Sequence, residues 1–348
     1  MTPDERQPIP RRDFLKAGGA AAAGFLAGGA VPAHATSPTQ LPANPRTDRA
    51  MPTRNLGRTG YRPGVFSLGG QAAVEQPNNE ELAVAIVERA IDLGVNYIDT
   101  AAAYGGRDRW SQRYIGQVMK TRRAEVFLTS KTHDRTRDGS LALLEESLRL
   151  LNTDHLDLWQ IHNLSQMAQV DQIFAPGGAV EALVHARDQK MVRFIGITGH
   201  ADPAVLMAAL ERFPFDTILM SLNAADRHHL SFAERLLPLA VERQVGIIGM
   251  KIPARSRILA SWTPPPDSTQ PQWQRASRPG TITMQEALYY VLSHPVSTVI
   301  VGCDTPAQVE ENVRLAAAFT PLSEAQLAGL ADRTAPIARQ ALFFRSWA

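Results

Sequence analysis

The 348-residue chain contains a single cysteine, Cys303. One cysteine excludes an intrachain disulfide and any zinc or iron–sulfur site built from cysteines alone. The chain also lacks an excess of one charge, since 36 Lys and Arg face 34 Asp and Glu, a formal net charge of +2. That balance supplies no strong field for binding a nucleic acid or a membrane surface. No apolar run beyond residue 35 is long enough to span a bilayer, and the composition is that of a globular protein.

The first 35 residues have the pattern of an export signal. The segment RRDFLK at 11–16 is a twin-arginine pattern, followed by an Ala/Gly-rich apolar stretch at 17–31 and an A-x-A cleavage site at 33–35. We therefore predict a twin-arginine signal peptide over 1–35 that engages the twin-arginine export machinery. The mature protein is then expected in the periplasm without a membrane attachment. An uncleaved membrane anchor and a chance pair of arginines are the alternatives.

The residues after the signal have no hydrophobic period. Residues 36–52 are rich in Pro, Thr and Asn, which predicts a disordered linker. The folded domain is therefore expected to span residues 53–348.

Short apolar runs alternate with amphipathic segments through the remainder of the chain. The predicted strands are 65–69, 97–99, 126–131, 156–162, 193–198, 217–222, 245–250 and 298–301. The predicted helices are 80–93, about 110–120, 140–151, 180–189, 203–212, 232–243, 284–293 and 306–318. This alternation predicts an α/β protein with a (β/α)8 TIM barrel of parallel strands. A hairpin at 55–60 is expected to cap the barrel bottom, and 323–331 to form an extra C-terminal helix.

A Pro-rich segment, residues 253–280, interrupts the seventh unit of the predicted barrel. Loops of this length are usually functional or mobile, and this one follows a strand at the rim where barrels carry their chemistry. This loop could form a lid over the site or be an inert surface excursion, and the sequence does not decide between the two. Trp262 and Trp273 lie in this loop and are candidates for closing over a substrate.

Three successive predicted strands end in polar side chains, namely Asp99, Lys131 and His162, and Tyr104 follows the first of them. Because the carboxyl ends of barrel strands share one rim, we expect these four side chains to lie together. Each has an ordinary structural reading by itself, such as a turn-capping Asp or a core His. Their joint occurrence on successive strand ends favours a catalytic group.

The segments GVNYIDTAAAYG (94–105), LTSKTH (128–133) and DLWQIHNL (157–164) resemble the aldo-keto reductase family, with a resemblance running from about 54 to 312. It implies that Tyr104 donates a proton, Lys131 lowers the pKa of that phenol, Asp99 orients Lys131, and His162 positions the carbonyl. The implied activity interconverts an aldehyde or ketone and an alcohol by hydride transfer. The implied partners are a small-molecule carbonyl or alcohol substrate and a nicotinamide cofactor.

The part of the chain expected to hold the nicotinamide departs from the family pattern. Thr198 and Gly199 stand where relatives carry a Ser-Asn pair, and Leu219 replaces a Gln. Leu222 replaces a common Tyr, whereas Asn223 is as expected. The clamp on the nicotinamide amide is therefore reduced, with Thr198 or backbone groups left to compensate.

The adenosine end resembles the family more closely, through VIVGCDTPAQVEEN at 299–312. The candidate contacts to the diphosphate and adenosine are Lys251, Gly302, Cys303, Asp304, Gln308, Glu311 and Asn312. Gln308 stands where NADP-preferring relatives often carry Arg, and Asp304 would repel a 2′-phosphate that it faced. Asp304 has the alternative reading of a helix cap. NADP is the family default, and NAD remains open.

The adjacent pair His228-His229, with Asp226 nearby, could suggest a metal site. Adjacent loop histidines point in different directions and no third ligand has suitable spacing, so no metal is expected.

Three functions remain open for the chain. The first is an exported reductase. The second is an exported binding protein with impaired cofactor use, suggested by the reduced amide clamp. The third is an enzyme that keeps its cofactor tightly bound, with one substrate reducing it and another reoxidising it, which would suit a compartment poor in NADPH.

Overall fold

Eight parallel strands close into a barrel in sequence order, with the last strand pairing with the first. The structure is a computed structural model that describes residues 40–270 and 276–347. The strands are β1 (Phe66–Gly69), β2 (Tyr97–Asp99), β3 (Phe127–Thr132), β4 (Leu156–Ile161), β5 (Val192–Gly199), β6 (Thr217–Ser221), β7 (Gly246–Met250) and β8 (Thr298–Val301). The predicted (β/α)8 barrel is confirmed.

Helices connect the strands and cover the outside of the barrel. They are α1 (Thr47–Ala50), α2 (Glu80–Asp92), α3 (Trp110–Arg122), α4 (Arg137–Leu150), α5 (Met167–Phe174), α6 (Ala179–Asp188), α7 (Pro203–Arg212), α8 (Phe232–Glu242), α9 (Met284–Leu292), α10 (Pro306–Ala317), α11 (Glu324–Thr334) and α12 (Ala338–Ala341). The extra C-terminal helix predicted at 323–331 is α11, which begins with a capping box between Ser323 and Gln326. None of the described helices combines the length and apolar character needed to cross a bilayer.

The bottom of the barrel is filled with side chains. Leu56, Tyr61, Tyr97, Phe127, Leu158, Leu219, Ile248 and Ile300 form one buried cluster. Within it the ring centres of Tyr61 and Phe127 lie 4.3 Å apart, and those of Tyr97 and Phe127 lie 5.4 Å apart. A barrel packed in this way is closed at its lower end, so any site must lie at the opposite rim.

The predicted hairpin at 55–60 closes this lower end. Thr53 and Gly64 form an antiparallel bridge, and the amide of Leu56 donates to the carbonyl of Tyr61 at 2.9 Å. Gly57 has φ +54°, and a Cβ there would lie 2.2 Å from the backbone nitrogen of Gly246. Only glycine allows the turn to approach β7 this closely.

The prediction of a disordered linker over 36–52 was wrong for residues 40–52. The amide of Asn44 donates to the carbonyl of Ile91 at 2.7 Å, and the hydroxyl of Thr47 donates to the carbonyl of Gly94 at 2.8 Å. Ile91 lies in the last turn of α2 and Gly94 just after it, where a helix end leaves backbone acceptors available. Local composition gave no sign of this, because the partners lie almost fifty positions away. Residues 36–39 and the predicted signal peptide, 1–35, lie outside the described residues.

Candidate active site

The four predicted catalytic side chains meet at the upper rim of the barrel. Lys131 Nζ donates to Asp99 Oδ2 at 2.5 Å and to the carbonyl of Thr100 at 2.8 Å, and it lies 3.4 Å from the hydroxyl of Tyr104. The ring of His162 stands nearly perpendicular to that of Tyr104, with 5.7 Å between the ring centres. A substrate oxygen can therefore contact a phenol and an imidazole at one point.

The parallel register explains why the charged pair forms. Asp99 is paired with Thr129 across β2 and β3, so Lys131 lies two residues further along β3 on the same face. Both Asp99 and Lys131 are 1% exposed. A buried pair is stable only when further hydrogen bonds satisfy its atoms. Here the hydroxyl of Thr129 donates to Asp99 Oδ1 at 2.9 Å, and Thr100 supplies the carbonyl noted above.

Burial raises the pKa of the Tyr104 phenol well above its ordinary value of 10.0, and the carboxylates of Asp99 and Glu75 raise it further. The expectation that Lys131 lowers this pKa stays a prediction, because the net rise does not isolate the effect of the ammonium that lies 3.4 Å from the hydroxyl. Asp99 pairs with Lys131 beside this desolvated phenol, so its carboxylate offsets part of the stabilisation that the ammonium gives a phenolate. Tyr104 thus carries its proton at neutral pH, which is the form required to donate one.

His162 is neutral at physiological pH. Burial is the largest cause that lowers its pKa well below 6.5, and the charge of Lys131 lowers it further. Burial also lowers the pKa of Lys131, while its contact with Asp99 opposes that change. A neutral imidazole has one N–H to donate and adds no charge beside Lys131.

A cavity of about 350 Å³, here called the rim cleft, extends from Tyr104 towards the start of α10. Its wall includes Gly69, Gly70, Gln71, Ala72, Glu75, Asp99, Tyr104, Lys251, Arg255, Gly302 and Asp304. A Cβ on Gly302 would approach the Ala72 Cβ and the Gln71 carbonyl to 3.2 Å. Burial and the charge of Arg255 lower the pKa of Lys251 to about 8. Exposed backbone beside a cation suits a diphosphate, so this cleft fits that part of a nicotinamide cofactor.

Three of the predicted adenosine-end contacts, Lys251, Gly302 and Asp304, line the rim cleft. Asp304 is not the N-cap of α10. Thr305 is the N-cap, since its hydroxyl accepts from the backbone N–H of Gln308 at 3.2 Å. Asp304 is exposed and bears its carboxylate on the cleft wall.

The other adenosine-end contacts do not reach the rim cleft in this structure. Cys303 and Asn312 are buried, and the amide of Asn312 donates to Cys303 Sγ at 3.5 Å. Burial raises the pKa of that thiol to about 12, which makes Cys303 a packing residue. Gln308 accepts from the backbone amide of Asp304 at 2.7 Å, and Glu311 lies on the exposed face of α10.

The predicted contacts to the nicotinamide amide are also buried. Thr198 is 1% exposed, and its hydroxyl accepts from the backbone N–H of Asn163 at 2.7 Å. Asn223 is fully buried and donates to the carbonyls of Lys251 and Ala341 at 3.3 and 3.4 Å. Gly199 is buried as well, since a Cβ there would lie 2.6 Å from the carbonyl of Leu164. The side chains of Thr198 and Asn223 thus hold neighbouring loops together, and the contacts of these three residues with the nicotinamide stay predictions.

The last residues of the chain cover this part of the rim. We call residues 341–347 the C-terminal strap. The backbone N–H of Ser346 donates to the carbonyl of Ala201, just after β5, at 3.1 Å. Arg345 forms a fully buried ion pair with Asp226. Asp226 and His229 of the predicted Asp-His-His cluster therefore anchor this strap, since the His229 ring stacks on Trp347 with 3.9 Å between the ring centres. His228 instead hydrogen-bonds the carbonyl of Ala331 in α11 at 2.8 Å. Among the described residues, no group of three acidic, His or Cys side chains is placed to hold a metal ion.

Arg255 and Arg135 are two of the site residues that the sequence analysis missed. Arg255 lines the rim cleft and follows a backbone turn in which Lys251, Ala254 and Arg255 have φ of +64°, +49° and +53°. Arg135 donates to the carbonyl of His162 at 2.8 Å and so fixes the backbone of a catalytic candidate. Neither residue belongs to a helix or strand that hydrophobic periodicity predicts. The only sequence signal near Arg255 is the Pro-rich composition after β7, and Arg135 has none.

Trp262 does not line the rim cleft. It lies beside Arg257, whose guanidinium carbon is 5.8 Å from the ring centre. Trp273 lies outside the described residues, so its predicted role over a substrate stays a prediction.

A parallel barrel whose rim carries a buried Asp–Lys pair, a protonated phenol and a neutral imidazole defines an oxidoreductase-type site for carbonyl chemistry. Residues 63–332 match the model of the aldo/keto reductase family. The chain belongs to that family and is an NAD(P)-dependent aldo-keto reductase.

Individual relatives align with a similar share of the chain. The L-galactose dehydrogenase of Arabidopsis thaliana is 28% identical over 284 residues, which cover 75% of this chain and 86% of that protein. The holo form of aldo-keto reductase AKR11C1 from Bacillus halodurans has a TM-score of 0.67 at 24% identity, over 81% of this chain and 96% of that one. An aldo-keto reductase from Klebsiella pneumoniae in complex with NADPH has a TM-score of 0.63 at 22% identity, over 82% and 95%. The two structural likenesses establish the fold.

Proposed function

We propose that the protein reduces the carbonyl group of a small molecule, with Tyr104 as the proton donor and NADP as the cofactor. The observation that carries this proposal is the contact of Lys131 with both Asp99 and Tyr104 beside a neutral His162. The relative from Klebsiella pneumoniae that binds NADPH supports the choice of cofactor.

When bound, the cofactor supplies a hydride to the carbonyl carbon. The carbonyl oxygen gains negative charge at that moment, and a proton donor beside it lowers the barrier. Tyr104 holds its proton at neutral pH and donates it to this oxygen. His162 donates its N–H to the same oxygen and sets its angle. Lys131, held by Asp99, then stabilises the phenolate that remains.

The residues of the rim cleft would hold the diphosphate of the cofactor. Gly302 and the backbone facing it leave room for a close approach, and Lys251 supplies a positive charge. Asp304 on the same wall disfavours a second phosphate beside it. NADP and NAD are therefore both to be compared in the experiment below.

The cofactor assignment is tested by titrating the purified protein with NADPH and NADH and following the fluorescence of the reduced nicotinamide. Lys251 is charged below about pH 8 and neutral above it, because its pKa is lowered to that value. A neutral Lys251 no longer attracts a diphosphate, so the Kd for NADPH is expected to rise between pH 7 and pH 9.5. We expect the Lys251→Arg variant to lose most of this pH dependence, since arginine stays protonated throughout.

The matched control for this titration is Lys120→Arg, on an exposed position of α3. It is expected to keep the wild-type pH dependence. Equal pH profiles for wild type and Lys251→Arg would remove Lys251 from the cofactor site. No binding of either nucleotide would favour the alternative of a binding protein with impaired cofactor use, for which the burial of Thr198 and Asn223 is the supporting observation.

We further propose that the protein is exported through the twin-arginine pathway and acts in the periplasm. The support is the RRDFLK segment at 11–16 with the apolar stretch and cleavage site that follow it. Twin-arginine systems carry folded proteins, which allows the cofactor to be bound before export. Nucleotide retained by protein recovered from the periplasm would favour the tightly bound cofactor over free exchange.

Changing both Arg11 and Arg12 to Lys is expected to abolish export. The change keeps the charge and the hydropathy of the segment, so it removes only the arginine pair that the export receptor reads. Cell fractionation and immunoblotting measure the result, with Arg6→Lys as the control that leaves the pair intact. Processed protein in the periplasm at the wild-type level would overturn the assignment.

A further inference from the structure

A second cavity of about 850 Å³ lies at the same rim, between the C-terminal strap and the loop after β7. We call it the strap cavity. Its basic lining residues are His200, Lys251, Arg255, Arg278, Arg339 and Arg345. No Asp or Glu of the described residues is part of this lining.

Two of these six groups are neutral or compensated. Asp226 neutralises Arg345 in the buried pair that anchors the strap. Burial lowers the pKa of His200 to about 3, and the charge of Lys251 contributes to that change. The four remaining cations surround a concave space without a counter-charge on its wall. Such an arrangement focuses a positive potential into the cavity and favours an anion there.

The rest of the wall is mainly apolar and carries no further charge, with Ser277, Gln340 and Ser346 as its uncharged polar residues. Phe343, Phe344 and Trp347 of the strap line the cavity, and the guanidinium carbon of Arg339 lies 5.1 Å from the ring centre of Trp347. An aromatic surface next to guanidinium groups matches a ligand that has both an apolar body and a charged end.

The strap cavity and the rim cleft meet at two side chains, Lys251 and Arg255, which line both. The charges on this boundary reach the catalytic group, since Arg255 lowers the pKa of Tyr104 and Lys251 lowers that of His162. A molecule seated in the strap cavity therefore borders the space in which the phenol donates its proton.

We infer that the strap cavity binds the oxyanion of an organic substrate, so that this reductase acts on carbonyl compounds bearing a carboxylate on an apolar or aromatic body. The inference rests on the proposed function, because it assigns the substrate class of the same site. The diphosphate of the cofactor is the competing source of an oxyanion, and the experiment separates the two.

The test uses two aldehydes that differ in one charge, 4-formylbenzoate and methyl 4-formylbenzoate. Both are reduced with saturating NADPH by the wild type and by the double variant Arg278→Gln with Arg339→Gln. The ratio of kcat/KM for the acid to that for the ester is expected to fall at least about tenfold in the double variant, because two charge-assisted contacts are lost. Both arginines are exposed, so the fold is expected to persist, and thermal unfolding checks this.

Arg235→Gln is the matched control, since it removes the same charge from an exposed position of α8 that lines neither cavity. Its acid-to-ester ratio is expected to equal that of the wild type. An unchanged ratio in the double variant would overturn the inference. If the Kd for NADPH also rises tenfold while the ratio stays unchanged, the two arginines belong to the cofactor site instead.

If the wild type reduces neither aldehyde, the proposed function fails on these compounds and binding decides the inference separately. Calorimetric titration of 4-formylbenzoate into both proteins is then the measurement. Binding to the wild type that is lost in the double variant supports the anion site. Equal binding to both proteins, or no binding to the wild type, overturns it.

Discussion

The Tyr104→Phe variant is expected to lose about 10²–10⁴-fold in kcat for carbonyl reduction, with the Kd for NADPH near the wild-type value. The substitution removes one hydroxyl, the group that lies 3.4 Å from Lys131 Nζ, and leaves the ring in place. Steady-state kinetics with an aldehyde and fluorescence titration with NADPH measure the two quantities. The separation of the two effects distinguishes a proton donor from a residue that only shapes the site.

Tyr290→Phe provides the control, because it removes the same atom from a tyrosine of α9 outside the barrel. This variant is expected to retain wild-type kinetics. If Tyr104→Phe kept the wild-type kcat, the phenol would have no part in proton transfer, and the proposed mechanism would have to be given up.

The Lys131→Met variant is expected to lose both activity and stability. Removing one partner of a buried ion pair leaves an uncompensated charge and costs about 3–5 kcal/mol. Here the remaining charge would be Asp99, which is 1% exposed. The loss in the free energy of unfolding is measured from the urea midpoint, and the loss in kcat from the aldehyde assay.

The double variant Lys131→Met with Asp99→Asn separates the two losses. The asparagine side chain that replaces Asp99 carries no charge and can still accept the hydrogen bond that Thr129 donates to Asp99 Oδ1 in the structure. Much of the stability is therefore expected to return, whereas kcat is expected to remain low because the phenolate has lost its ammonium. Recovery of activity together with stability would show that Lys131 serves the fold and not the reaction.

The strand ends show how much of the site could be predicted from the sequence. Asp99, Lys131 and His162 follow apolar runs, and the alternation of such runs with amphipathic helices predicts a parallel barrel. In a parallel barrel all strand ends share one rim, so the meeting of these side chains followed from topology alone. The contact distances and the burial that control their pKa values did not follow.

Two predictions met tertiary contacts that the sequence did not reveal, and both for the same physical reason. Residues 40–52 were interpreted as a linker, yet Asn44 and Thr47 bond to carbonyls near the end of α2. Thr198 and Asn223 were predicted to contact the cofactor, which stays a prediction, and each one bonds to a loop or to residues near the C-terminus. In each case the deciding partner is far away in sequence and belongs to no periodic pattern.

The sequence by itself determined the barrel, its family and the four polar groups at its upper rim, because hydrophobic periodicity and motif order are local properties of the chain. Only the tertiary structure decided that the pKa of Tyr104 is raised and that His162 is neutral, because desolvation depends on everything packed around a group. The tertiary structure alone also brought the C-terminal strap to the loop after β7 and formed a positively charged cavity between them. Arg278 and Arg339, about sixty positions apart in the chain, both line this cavity because the C-terminal strap folds back across the rim of the barrel.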